Sequence, residues 1–247
     1  MKILIVNPNT SEIVLDVIMR SAERAALTRT ELSGMRSPGG TRNIDSAYGD
    51  YMSAPHMIEA VRRRIEAEPF DGVVLAGFGN VGIGALKEVL DIPVVSISEA
   101  SMALACLLGH RFSTLTMLEQ FIPYQEDIIR LHGFEAKCAS VRAININVEK
   151  AAIDRERALR DLTIQVKAIV TEDKAEVVIL ACAGLCDYDR ELSKSSGVPV
   201  IDPVVAAVHT VQTLVSMGLA QSKVRKFKHP PQPITDYRGD LLANATV

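Results

Sequence analysis

Two stretches of this chain are near-copies of each other, and such a duplication leaves few folds open. Val73-Val74-Leu75-Ala76-Gly77-Phe78-Gly79 reads against Val178-Ile179-Leu180-Ala181-Cys182-Ala183-Gly184. Each is an apolar run that closes on a small, glycine-containing turn. A second strand-like run follows each, Ile92-Pro93-Val94-Val95 and Val198-Pro199-Val200-Ile201, about one helix later. A duplicated strand–turn–helix–strand unit predicts two pseudo-symmetric α/β lobes with parallel sheets, their equivalent turns facing each other across a cleft. Cys182 then stands where chemistry is expected, and Gly77 holds the matching place in the other copy.

The rest of the chain fits the same plan. Apolar runs of strand length alternate with longer amphipathic stretches, the pattern of parallel sheets covered on both faces. Strands are expected over 2–6, 31–35, 72–76, 94–97, 112–116, 141–146, 177–181 and 199–201. Helices are expected over 11–26, 54–67, 83–90, 122–132, 148–171 and 203–217, with Asn9, Thr10 and Ser11 offering cap groups to the first and Gly218 ending the last. Ser37 to Asn43 reads as a loop rich in glycine and polar residues. The lobes are placed at 1–108 and 109–215. The proline-rich segment 216–247 is expected to pack back on a lobe or on a neighbouring subunit.

Composition narrows the function. An apolar fraction of 48% over 247 residues suffices for a large core, and a formal charge of −3 gives no basic footprint for nucleic acid or anionic membrane. No apolar run approaches the roughly 18 residues of a membrane span, and four aliphatic residues ended by Asn-Pro-Asn are too few for a signal peptide. A cytoplasmic location follows as an expectation. Cys106, Cys138, Cys182 and Cys186 do not make a disulfide framework in a chain of this length. The five histidines lack metal-binding spacing, so no metal and no cofactor is expected.

Cys182-Ala183-Gly184 sits at a strand end, where open α/β sheets place their sites. A thiol at a helix start gains thiolate character and can serve as base or nucleophile. The alternative is a buried structural cysteine closing a core strand. Cys106, Cys138 and Cys186 read as structural.

Five motifs in order carry a resemblance. Asn7-Pro8-Asn9-Thr10-Ser11 after the first strand, Arg111-Phe112-Ser113 leading to Thr116, Cys182-Ala183-Gly184, Gly197 to Asp202, and Ser222-Lys223-Val224 are similar to the hydantoin and allantoin racemases of the aspartate/glutamate racemase superfamily. The resemblance implies cofactor-independent chemistry in which one cysteine removes a proton beside a carbonyl and a second returns it on the opposite face. It implies a small, planar cyclic ureide as substrate and a homo-oligomer. Cys182 is the implied acid/base. Asn9, Thr10, Phe78, Gly79, Asn80, Thr116, Ala183 and Gly184 are the implied substrate contacts, with backbone amides stabilising the enolate. Asn9 as a helix cap and Thr116 as a backbone-bonded hydroxyl remain open alternatives.

The chain departs from that pattern at Gly77, where the first cysteine is expected. A glycine can neither take nor give a proton. Three readings stand: a one-base variant in which Cys182 serves one face, an introduced substitution in a two-base enzyme, or replacement by another side chain that the sequence does not identify. Arylmalonate decarboxylase, in the same superfamily, is similar in pairing a glycine in the first half with one cysteine in the second, so decarboxylation is a second expectation. A non-catalytic small-molecule-binding member is a third.

Overall fold

The computed structural model describes residues 1–145 and 154–232. Its first half contains β1 (Lys2–Asn7), α1 (Glu12–Ala25), β2 (Glu31–Arg36), α2 (Ala47–Ala67), β3 (Gly72–Leu75), α3 (Ile83–Val89), β4 (Val94–Ser96) and α4 (Ile97–Leu108). Its second half contains β5 (Phe112–Thr116), α5 (Ile122–Leu131), β6 (Cys138–Ala143), α6 (Arg155–Glu172), β7 (Val177–Leu180), α7 (Asp189–Ser196), β8 (Val200–Ile201) and α8 (Pro203–Ser216). Two four-stranded parallel sheets result, ordered β2-β1-β3-β4 and β6-β5-β7-β8. The second order repeats the first, as the duplicated sequence requires.

Period-two alternation sends each central strand's side chains into two cores. Ile3, Ile5, Val74 and Ala76 point toward a core that also holds Phe112, Val177, Ile179 and Ala181 of the second sheet. Helices α1, α4, α5 and α8 also line that core, so the two sheets share one interior. Leu4, Val6, Val73 and Leu75 point the other way and are covered by α2 and α3. Leu115, Val178 and Leu180 do the same under α6 and α7. The halves also exchange helices: α4 packs on β7, and α8 packs on β3 and β4. The approach of α8 is close, since a Cβ at Gly72 would lie 2.7 Å from Val211 Cγ2.

Several boundaries differ from expectation for local reasons. Helix α2 starts well before Ala54, because the Ser46 side chain caps it by accepting from Gly49 N at 3.1 Å, and Pro55 lies inside the helix. Helix α4 begins straight after β4, where Ser96 and Glu99 form a reciprocal capping box. Strand β6 starts at Cys138 rather than Val141, with small, half-buried residues in its first positions. Of the expected strand 141–146, Ile146 lies outside the described residues. So does the opening of the expected helix 148–171, whose described part is α6, capped by Asp154.

The segment after α8 is tied to the first sheet. The Gln221 side chain accepts from Val94 N and donates to Val94 O, both at 3.0 Å, which covers the free edge of β4. Lys223 Nζ donates to the carbonyls of Lys87, Glu88 and Leu90 at 2.7–2.9 Å and closes the C-terminus of α3. Residues 233–247 of that segment lie outside the described residues. No helix among the described residues is long and apolar enough to cross a membrane.

Asp202 joins the halves. Its fully buried carboxylate caps α8 through Val204 N and Val205 N at 2.9 and 3.2 Å. The other oxygen accepts from Ser21 Oγ (2.8 Å) and Arg24 Nη2 (2.7 Å) on α1, and from Asp187 N (3.0 Å) in the loop after Cys182. Asp202→Ala removes a helix cap and leaves a largely buried guanidinium short of a partner, which costs about 3–5 kcal/mol. Urea denaturation followed by circular dichroism measures the loss, and a change below about 1 kcal/mol would contradict this assignment.

Candidate active site

The shared strand register places the two turns in equivalent positions. Val6 pairs with Leu75 and Leu115 with Leu180. One residue on, Ala76 N donates to Val6 O and Ala181 N to Leu115 O, both at 2.8 Å. The chain then leaves each sheet, and the next residues are Gly77 and Cys182. Both border a single cleft of about 180 Å³.

Of the residues singled out in the sequence, Asn9, Gly77, Phe78, Gly79, Thr116, Cys182, Ala183 and Gly184 line this cleft. Thr10 and Asn80 do not. Thr10 instead donates its backbone N–H to Thr41 O at 3.1 Å and anchors the loop 37–46. Asn80 adopts a left-handed conformation, φ +62°, which asparagine tolerates. Its amide is consumed on the far side of the turn, where Oδ1 accepts from Ser98 Oγ at 2.6 Å and Nδ2 lies 2.8 Å from His132 Nε2.

Asn9 is oriented by its neighbours. Asn7, fully buried at the end of β1, donates through Nδ2 to Asn9 Oδ1 (2.9 Å) and to Ser11 O (3.0 Å). Ser11 N also donates to Asn9 Oδ1 at 2.9 Å. With its oxygen so engaged, Asn9 keeps its Nδ2 donor for the cleft. The cap of α1 is Ser11, whose Oγ accepts from Val14 N. Thr116 is buried at the end of β5, and its hydroxyl has no partner among the described residues. The backbone N–H groups of Phe78 and Gly79 likewise lack protein acceptors among the described residues. Unpaired donors at a cleft wall suit a carbonyl or enolate oxygen.

Cys182 is partly exposed. It begins a single 3-10 turn, 183–185, rather than an α-helix, so the expected helix-dipole stabilisation is small. Burial raises its thiol to about 11, against the opposing effect of the Gly184 and Leu185 N–H groups. The expectation of thiolate character is therefore corrected: at neutral pH the resting group is a thiol, a proton donor. Cys186 is buried in the shared core, and Cys106 and Cys138 pack against that core. No three His, Cys, Asp or Glu side chains among the described residues gather as a metal site requires.

The cleft also contains residues that no sequence signal marked. Asn43, Ile44 and Asp45 reach it from the loop before α2, and Phe121, Tyr124 and Gln125 from the start of α5. Gln125 donates to Ala181 O and accepts from Thr114 Oγ1, both at 3.0 Å, and so fixes the carbonyl beside Cys182. Tyr124 stands against Gly79: a Cβ there would lie 3.0 Å from Tyr124 Cε1, so glycine makes room for the ring. At Gly77 a Cβ would lie 2.7 Å from Pro8 Cγ, so any side chain there displaces the proline ring.

A family model for Asp/Glu/hydantoin racemases matches residues 3–211. A hydantoin racemase from Pseudomonas sp. (strain NS671) is 36% identical over 241 residues, covering 98% of this chain and 96% of that protein. The crystal structure of an allantoin racemase from Pseudomonas fluorescens superposes with a TM-score of 0.88 at 36% identity, covering 94% of this chain and 98% of the other. An allantoin racemase from Klebsiella pneumoniae gives 0.90 at 29% identity, with coverages of 94% and 95%. The chain belongs to the Asp/Glu/hydantoin racemase family, and these named relatives are isomerases.

The raised Cys182 thiol is directly measurable. Only the thiolate is alkylated, and at pH 7 a thiol of pKa about 11 is ionised to roughly one part in ten thousand. Iodoacetamide labelling of Cys182, resolved by peptide mass spectrometry, should therefore climb about tenfold per pH unit from pH 7 to 10. A plateau near pH 8.5 would show an ordinary thiol.

Proposed function

We propose that this protein is a cofactor-independent racemase acting on the acidic ring carbon of a five-membered cyclic ureide, a 5-substituted hydantoin or allantoin. The observation that carries this reading is the meeting of the two equivalent strand ends at one cleft. One end bears the Cys182 thiol, and the other bears unpaired N–H donors at Phe78 and Gly79.

Removing the proton beside the ring carbonyl drives electron density onto the carbonyl oxygen. The free N–H groups, the Asn9 amide and the Thr116 hydroxyl can receive that charge or hold the flanking ring amides. Cys182 exchanges a proton with one face of the carbon, while Gly77 contributes backbone alone to the other side. The described lining includes one charged side chain, Asp45, and no cation. A neutral ureide suits such walls. A malonate would bring two negative charges with no cation to receive them, and this favours racemisation over decarboxylation.

Single enantiomers of 5-benzylhydantoin, followed by NMR and chiral chromatography in heavy water, test the assignment. The wild type should incorporate deuterium at the ring carbon and racemise the substrate, with chelator leaving the rate unchanged. Cys182→Ala should lower racemisation by about a thousandfold. Turnover of an aryl malonate without any action on hydantoins would overturn it.

A further inference from the structure

We propose that Tyr124, backed by Asp50, supplies the proton on the cleft face that Gly77 leaves bare. This inference rests on the ureide racemase reading above and completes it.

Two facts leave that face without a thiol. Gly77 has no side chain, and the Pro8 ring occupies the space a Cβ would need. A reactive side chain of the cleft wall touches this turn: Tyr124. It lines the cleft, and its hydroxyl lies 3.0 Å from Gly79 O, two residues beyond Gly77. The same hydroxyl lies 2.6 Å from Asp50 Oδ2 on α2. One phenolic hydrogen cannot serve both acceptors fully, so the arrangement has two complete states. With Asp50 ionised, Tyr124 donates to the carboxylate. With Asp50 protonated, the carboxylic acid donates to the phenolic oxygen, and Tyr124 donates to Gly79 O or to a ligand. The second state is accessible because Asp50 Oδ1 is buried with no partner among the described residues, and burial raises the Asp50 carboxyl above its ordinary value. The phenol is raised too, by burial and by Asp50, so a free phenolate plays no part.

The proton balance follows. In the form that begins the cycle, Cys182 is a thiol and Asp50 a carboxylate. The carbon's proton passes to the Tyr124 oxygen as the phenolic proton passes to Asp50, and the C–H electron pair enters the enolate. Cys182 S–H then protonates the opposite face and becomes a thiolate. The product is the other enantiomer, and the pair is left as thiolate and carboxylic acid. That is the form that runs the reaction from the other side. Tyr124 is the catalytic group here, and Asp50 acts through it.

The test uses full-length Tyr124→Phe and Cys182→Ala proteins, with each enantiomer of 5-benzylhydantoin in heavy water at pH 9. Each variant retains one proton-transfer face. Tyr124→Phe should exchange one enantiomer with retention and Cys182→Ala the other. The ratio of racemisation to exchange should fall at least a hundredfold in both. Asp50→Asn should follow Tyr124→Phe, and Asp50→Glu should recover part of the loss, which a merely structural role for Asp50 would not produce. Racemisation by Tyr124→Phe within about threefold of wild type would overturn the proposal, as would equal loss of exchange for both enantiomers. A wild type that exchanges only one enantiomer, without racemising it, would leave the ureide assignment standing and remove Tyr124 from it. A wild type inert toward both would overturn the two together.

Discussion

The hydrogen bond from Ala76 N to Val6 O, repeated from Ala181 N to Leu115 O, ends both central strand pairs at the same step. Everything at the cleft depends on that shared stop. Parallel pairing fixes which residue is last in the sheet, and the period of two then fixes which way the next one faces. A slip of one residue in either half would turn Ala76 or Ala181 out of the shared core and swing Gly77 or Cys182 away from the other turn. The aliphatic runs prevent this, because β1, β3 and β7 are buried on both faces and no other register fills all three cores. Precision at the site is thus set by core packing some distance away.

The supporting contacts divide the work between the halves. Asp202 ties the loop following Cys182 to α1 and caps α8, while Gln125 holds Ala181 O against α5. On the opposite side, Asn7 orients Asn9, and Asn80 pins the 77–82 turn to Ser98 and His132. Asp202, Asn7 and Asn80 lie off the cleft and Gln125 in its wall, and all four spend their hydrogen bonds on backbone or on other side chains. They leave the donors of Phe78 and Gly79, and the Thr116 hydroxyl, free for a ligand. In a low-dielectric cleft such prepositioned donors act strongly, since no reorganisation is needed when charge develops.

The sheets and the pairing of Gly77 with Cys182 were legible in the sequence, because a strand covered on both faces must be a short aliphatic run and a duplication must repeat its register. Asn9 and Thr116 were legible as strand-end residues within recognisable motifs. Tyr124 was not. Its partners lie 45 residues away at Gly79 and 74 away at Asp50, and nothing local to Ile122-Pro123-Tyr124 distinguishes it from a helix-surface tyrosine. The Cys182 thiol departs from expectation for a related reason. Position after a strand suggested a helix terminus, but the chain makes one 3-10 turn, and burial then outweighs two N–H groups. Asn80 looked like a ligand contact because of its place beside Gly79, and its left-handed backbone turns it outward instead.

A thiol paired with a tyrosine–carboxylate relay, as proposed above, is an unsymmetrical answer to a symmetrical problem. Two cysteines would give an enzyme whose two resting protonation forms are chemically alike. In the proposed mechanism one form stores the proton on sulfur and the other on Asp50, and burial raises both groups from their ordinary values. The two forms therefore differ in free energy, and each enantiomer binds productively to only one of them. The enantiomers themselves have equal free energy in water, so kcat/KM must be the same in both directions. The asymmetry has to be expressed in kcat and KM separately, with compensating changes. The enantiomer that requires the less populated form shows the higher KM and the higher kcat, since its productive complex starts nearer the enolate.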